Sequence, residues 1–435
     1  MISRRAFLGN TTVLAATAWL STIPGGAKLA TESVSGQNSS GGPDPALLER
    51  ARALLAEAPL IDTHNDLPSM LLSVEGGLAT HDLGKVQPAL CADIPRLREG
   101  RVGGQYWSVF VESATQRTHT SLHEAMREFD VALRLIRSQP DFEQAHTADD
   151  IERIHKSGRI ACLMGVEGGH MIENSPASLR IFYELGARYM TLTHWDNIDW
   201  ADSATDRPEH YGLTAFGKQV VHEMNRLGMF VDISHVSAET MRDALSFSKA
   251  PVICSHSSAF AINPHPRNVP DDVLRRFADN GGVVHANFIR EFISSKNPEW
   301  QKQRTAALED FHAKLDTDDA IQKAIKQWEE KNPLPNPTIS DVADHIDHIR
   351  EVAGIDHVGI GADYFDDGKT TMAEGLENVT RYPYLFAELM RRKYSDDDIR
   401  KVAGRNHLRA MRQMERVAAD LQKREGPLVM EMKKS

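Results

Sequence analysis

Seven residues that follow short apolar runs of this chain are of types that bind metal or carry protons: His64, Asp66, Glu167, His194, His235, His256 and Asp363. His64 and Asp66 lie two apart, so on an extended chain both side chains point the same way and can clasp one ion. Glu167, His235 and His256 would extend this to three imidazoles and two carboxylates, an N/O donor set suited to zinc. Five ligands are too many for one tetrahedral ion that must keep a water. They suit two ions, roughly 3.5–4 Å apart, that share a bridging carboxylate and a bridging hydroxide. A lone His or Asp is more often a hydrogen-bonded structural residue, so only the joint pattern argues for a site.

Such a cluster needs a scaffold that brings several strand ends to one rim. Eight short, nearly continuous apolar runs are spaced along the chain: Leu60 to Thr63, Tyr106 to Val111, Ile160 to Val166, Tyr189 to Thr193, Met229 to Ser234, Val252 to Ser255, Val283 to Asn287 and Val358 to Ala362. Runs of this kind suit strands buried on both faces. Amphipathic stretches separate them: Leu122 to Arg137, Ala148 to Lys156, Pro176 to Leu185, Ala215 to Leu227, Ala238 to Phe247, Asp271 to Ala278 and Asp341 to Val352. Thr147 with Asp150 resembles a capping box, and Gly158, Gly186 and Gly228 stand just past helical patterns. The polar region Arg290 to Pro337 reads as a helical insertion between strands 7 and 8, and Ser395 to Val417 as one or two closing helices. Alternating βα units predict an α/β fold, a (β/α)8 TIM-type barrel. Active sites of such barrels gather at the C-terminal strand ends, and six of the runs are followed directly by one or more of the seven residues.

The motifs Leu60-Ile-Asp-Thr-His-Asn-Asp66, Gly165-Val-Glu-Gly-Gly-His170, Val231-Asp-Ile-Ser-His235, Ser255-His-Ser257, Arg267-Asn-Val-Pro270 and Val358-Gly-Ile-Gly-Ala-Asp363 occur in this order. Together they resemble the membrane dipeptidase (renal dipeptidase) family of metal-dependent hydrolases, from about Pro59 to about Met411. The resemblance implies two zinc ions per chain, one held by His64 and Asp66, the other by His235 and His256, with Glu167 bridging both. It further implies that His194 faces the scissile carbonyl, that Arg267 holds the substrate carboxylate and that Asp363 handles the proton. Dipeptides would be the substrates, with a D-residue at the C-terminal side left open, and the assembly would be a homodimer. Alternatives on the same site are deacylation of N-acyl amino acids and opening of lactones or β-lactams. A catalytically idle peptide- or metal-binding protein is the alternative from another class. The sequence departs from the family in the longer Ala362-Asp-Tyr-Phe-Asp-Asp-Gly368 segment, in His285 and Ala286 on a normally aliphatic strand, and in Gly404-Arg-Asn-His407.

Other residues invite weaker expectations. Asp62 could orient a ligand histidine or simply make a structural hydrogen bond, and His170 is expected to be structural. Trp195 and Trp200 could wall a pocket or simply pack a loop. His345 and His348 are expected on a solvated helix face.

The chain has 435 residues, 41% of them hydrophobic, which suits one large domain, expected over residues 47–420. A net charge of −11, spread without basic runs, excludes an obvious nucleic-acid or anionic-membrane partner. Only Cys91, Cys162 and Cys254 are present, in apolar settings, so no disulfide framework is expected. Residues 1–30 read as a twin-arginine-type signal peptide: Arg4 and Arg5 precede an apolar run that falls short of the ~20 residues needed to span a bilayer. Periplasmic or secreted localisation is expected, with no stable membrane insertion after processing. Residues 31–46 read as a flexible spacer and 421–435 as a polar tail.

Overall fold

The structure, a computed structural model, describes residues 43–315 and 317–429. The expected signal peptide, most of the spacer and the end of the tail lie outside the described residues. The last residues of the expected spacer are helical: Asp44 accepts from the Ala46 amide at 2.9 Å and caps a helix over Pro45–Glu57.

Among the described residues nine parallel strands are formed: β1 Leu60–Asn65, β2 Val102–Phe110, β3 Phe142–Gln144, β4 Ile160–Glu167, β5 Ala187–Thr191, β6 Phe230–Asp232, β7 Ile253–Cys254, β8 Val283–Ala286 and β9 Val358–Ile360. Direct pairing of β2 with β4, from Gly104 opposite Ala161 to Phe110 opposite Glu167, closes eight of them into a ring. The short β3 stays outside, paired with Ile160–Cys162 at the start of β4, while β5 takes the same edge further along, from Met164. The fold is a (β/α)8 barrel with a helical insertion between β8 and β9. Ile61, Tyr106, Leu163, Tyr189, Phe230, Ile253 and Val283 come from seven different barrel strands and pack in one cluster with Leu408, Met411 and Met414 of the closing helix. That cluster fills the barrel.

Four amphipathic stretches form helices with the expected ends: Ala148–Lys156, Pro176–Leu185, Ala215–Leu227 and Ala238–Phe247. Thr147 and Asp150 form the reciprocal capping box. Gly186 and Gly228 end their helices at φ 113° and 83°, a left-handed conformation that glycine adopts without steric cost. β2 begins four residues earlier than its apolar run, because Gly103 and Gly104 hide the strand from a hydrophobicity reading. A Cβ on Gly103 would lie 2.8 Å from Pro59, so the close approach of the chains requires glycine there. Helices over Leu67–Ser73, Ile94–Glu99 and Tyr382–Arg391 were not anticipated.

Contacts divide the described residues into the barrel, residues 43–300 and 334–429, and a helical unit, residues 301–333. The insertion carries helices over Asn297–Lys314 and Asp318–Lys331, and Arg304 pairs with Glu329 at 2.6 Å within the helical unit.

Candidate metal centre

Seven of the eight proposed site residues, all but Arg267, sit at or just beyond a strand's C-terminal end, where strand geometry stops and side chains can converge on the barrel mouth. His64 lies in β1 and Asp66 just after it; Glu167 ends β4; His194, His235, His256 and Asp363 follow β5, β6, β7 and β9. All seven are buried. His235 and Asp363 adopt left-handed backbone, φ 64° and 67°. For non-glycine residues this costs on the order of 1–3 kcal/mol, and the surrounding hydrogen bonds must enforce it. The His235 carbonyl accepts from the Ala204 amide at 2.7 Å, and the Asp363 amide donates to the His64 carbonyl at 3.2 Å.

Glu167 stands at the centre. Its Oε1 lies 3.5 Å from His64 Nε2, 3.5 Å from His194 Nε2, 3.2 Å from His235 Nε2 and 3.6 Å from His256 Nε2. Ser108 donates to its other oxygen at 3.3 Å. His64 Nε2 is also 3.9 Å from Asp66 Oδ2 and 3.9 Å from Asp363 Oδ1. Three overlapping sets result, each with ligand atoms within 4.8 Å of one another: His64, Glu167 and His256; Glu167, His194 and His235; His64, Asp66 and Asp363.

The electrostatics suit cations. Burial disfavours a charged His64, but Glu167, Asp66 and Asp363 outweigh it and hold the imidazole up to about 10. Burial would raise Glu167, yet His64 and His194 keep it well below the usual carboxylate range. His235 and His256 are pushed well below the ordinary histidine value by burial, with Arg267 adding to the effect, and a neutral imidazole is the form that binds metal. His64 Nε2 and His256 Nε2 are buried and have no hydrogen-bond partner among the described residues. Buried polar nitrogens left unpaired are costly, and a cation bound among these carboxylates would remove both that cost and the crowding of negative charge. The donor set therefore fits a metal.

Arg267 is fully buried in the loop after β7. Its guanidinium donates to Ser257 Oγ at 3.4 Å and to the His256 carbonyl at 3.3 Å, and faces the Phe292 ring at 5.3 Å. It forms no ion pair with a carboxylate among the described residues, and burial lowers its proton affinity. Trp195 stands edge-on to His194 and His235, with ring centres 5.1 Å and 5.0 Å away, and so walls the site. Trp200 instead packs a loop, against Phe216 and Gly169.

Several expectations are corrected. Asp62 orients no ligand imidazole. It accepts from the Ala362 amide, Gln105, Tyr382 and the His64 amide, bracing β1 against its neighbours. His345 is not on a solvated face: it is buried, accepts from the Ala259 amide at 3.0 Å and bonds the Ile293 carbonyl at 2.9 Å. The unusual His285 bonds the Cys254 carbonyl and His407, which in turn bonds Tyr106, a structural chain inside the barrel. His170 bonds the Val111 carbonyl, as a structural residue would. The three cysteines are buried and free. The structure also brings in Asn287, whose amide donates to Asp363 Oδ2 at 3.0 Å, together with Tyr189, Ser255 and Asp232 behind the ligand rings. All four lie in the apolar runs, where nothing in the spacing marks a polar role.

A phosphinate-liganded metallopeptidase from Rhodobacter sphaeroides superposes with a TM-score of 0.66 at 23% identity, over 82% of this chain and 99% of that one; the phosphinate mimics the dipeptide L-Ala-D-Ala. A dipeptidase of metallopeptidase family M19 gives the same figures. A probable dipeptidase, PvdM, from Pseudomonas aeruginosa superposes with a TM-score of 0.75 at 22% identity, over 86% of this chain and 99% of that one. These likenesses bear on the fold. The sequence model of the membrane dipeptidases, peptidase family M19, matches residues 48–425, and with it the chain is placed: this protein belongs to the membrane dipeptidase family and is a metallopeptidase of small peptides.

Proposed function

We propose that this metallo-dipeptidase uses two zinc ions, His64 and Asp66 holding one, His235 and His256 the other, with Glu167 shared between them. The observation that carries the substrate reading is Arg267, a buried cation beside the metal ligands with no carboxylate partner of its own among the described residues. A buried charge is tolerated when a counter-charge arrives, and the free carboxylate of a dipeptide supplies one a single residue beyond the scissile bond. When bound, the ions would supply Lewis acidity and lower the pKa of water from about 15.7 toward about 7.

The chain's own groups do the rest. Arg267 fixes the substrate carboxylate, and His194 donates to the scissile carbonyl oxygen as negative charge develops there. Asp363 takes the proton released as water adds to the carbonyl carbon and returns it to the nitrogen as the C–N bond breaks. Burial, with Asp66 and Glu167 nearby, raises its carboxyl to about 8 against the opposing pull of His64 and Arg267. That places it near neutrality, where a proton carrier is effective.

A dipeptide panel with either chirality at each residue, in the presence of added zinc, tests this reading through the free amino acids released. Acceptance of a C-terminal D-residue is part of the proposal, supported by the dipeptide mimic bound to the Rhodobacter sphaeroides relative. Hydrolysis of N-acyl amino acids or ring opening of lactones, without dipeptide cleavage, would instead favour the other amidohydrolase chemistries. Arg267→Ala is expected to lower kcat/KM for dipeptides about 10- to 200-fold, the loss of a charge-assisted hydrogen bond worth about 1.5–3 kcal/mol. On a dipeptide amide the loss should nearly vanish, whereas equal losses on both substrates would make Arg267 structural.

Export by residues 1–30 and a homodimeric assembly belong to the same proposal. Changing Arg4 and Arg5 together to lysine should retain the protein in the cytoplasm of an expressing bacterium, as fractionation would show. Unchanged export would reject the twin-arginine route.

A further inference from the structure

The two carboxylate oxygens of Asp363 have different surroundings. Oδ1 turns toward the metal ligands, 3.9 Å from His64 Nε2. Oδ2 accepts from the side-chain amide of Asn287 at 3.0 Å, the one hydrogen bond made to this carboxylate among the described residues. Both residues are buried, Asn287 completely. Asp363 also sits in left-handed backbone, φ 67°, where the alternation of a strand no longer aims the side chain, so contacts must do so.

Asn287 can give that contact in one orientation only. Its Oδ1 accepts from the Ile289 amide at 2.5 Å, and a backbone N–H can only donate, so the NH2 group of the side chain faces Asp363. The backbone on either side is pinned as well. The Asn287 amide donates to Ser258 Oγ at 3.3 Å, and the Phe288 amide donates to the Ala362 carbonyl at 3.3 Å, which fixes the segment after β8 against the residue before Asp363. An amide NH2 group offers no acceptor to a carboxylic acid. Oδ2 is therefore closed to a proton, while Oδ1 is open to one.

We propose that Asn287 is the positioning residue of the proton carrier: by holding Oδ2 it confines the travelling proton to Oδ1 and keeps that oxygen aimed at the reacting water. This rests on the assignment of Asp363 as proton carrier under the proposed function. As the water oxygen bonds to the carbonyl carbon, its proton passes to Oδ1. As the C–N bond breaks, that proton leaves Oδ1 for the nitrogen, and Asp363 ends as the carboxylate it began as. Asn287 neither gains nor loses a proton in the cycle. Its share is geometric, and a misplacement of about 1 Å at a reacting group can cost about 100-fold in rate.

Steady-state kinetics on the best-cleaved dipeptide of the panel above, with zinc analysis and circular dichroism, tests this in two backgrounds. Asn287→Ala should lower kcat about 10- to 100-fold, keep KM within about twofold and leave zinc content and the folded spectrum unchanged. Added to Asp363→Asn, it should cost less than about threefold more, because a residue that acts through another then has nothing left to act on. Damage of a merely structural kind would cost the same in both backgrounds. If Asn287→Ala fails to fold, Asn287→Asp keeps the acceptor for the Ile289 amide and sets a carboxylate against Oδ2. Whether that group repels Asp363 or shares its proton, kcat should fall by the same range or more. Unaltered kcat, equal losses in both backgrounds or lost zinc in the Asn287 variant would overturn the inference alone, provided Asp363→Asn shows its own loss of rate. Full rate or loss of zinc in Asp363→Asn would overturn the proton-carrier reading and this inference with it.

Discussion

Glu167→Gln is expected to reduce zinc from close to two ions per chain to less than one and to lower kcat/KM by about 10³-fold or more. The reason is geometric. One carboxylate oxygen lies within 3.6 Å of four imidazole Nε2 atoms, so whatever binds between those rings must engage Glu167. An amide keeps the shape but offers one neutral acceptor in place of two charged oxygens, and cannot bridge two dications. Losing several kcal/mol of Lewis-acid stabilisation corresponds to about three powers of ten at 1.36 kcal/mol each. Metal analysis of the dialysed variant alongside its dipeptide turnover is the check. A Gln variant that retains both ions and full rate would remove Glu167 from the bridging role.

Asp363→Asn should leave folding and zinc content intact while lowering kcat by about 10²- to 10⁴-fold, the usual contribution of a positioned acid–base group. Asparagine can still hydrogen-bond Asn287 but cannot carry a proton from water to the leaving amine. The pH profile supplies a second readout. Asp363 accepts a proton only as carboxylate, so kcat should fall as pH drops through its folded pKa. That limb should lie below about 8, because bound cations favour the charged form, and it should disappear in the Asn variant. The proximity of Asp363 to His64 and Asp66 makes metal analysis decisive here: loss of zinc would make Asp363 a ligand rather than a proton carrier. Full rate with zinc retained would move the proton to another group, His194 first.

The sequence by itself determined the architecture and which residue types gather at the barrel mouth. Apolar runs of four to seven residues alternating with amphipathic stretches permit few folds. The residue just past such a run is delivered to the barrel mouth whatever the loops do, so His64, Glu167, His235 and His256 were legible one strand at a time. Only the tertiary structure decided which groups support them. Asp62, two before His64, had the local spacing of an orienting carboxylate, yet it braces strands, and the carboxylate behind the ligand rings is Asp232. Asp232 reaches His256 through Ser255 on the neighbouring strand, and that adjacency comes from the register of the barrel. The burial of His345, against Ala259 and Ile293, and the chain from His285 to Tyr106 through His407 arise the same way. Period and composition report which face of an element is apolar. Which polar groups meet inside is fixed by how the ring closes.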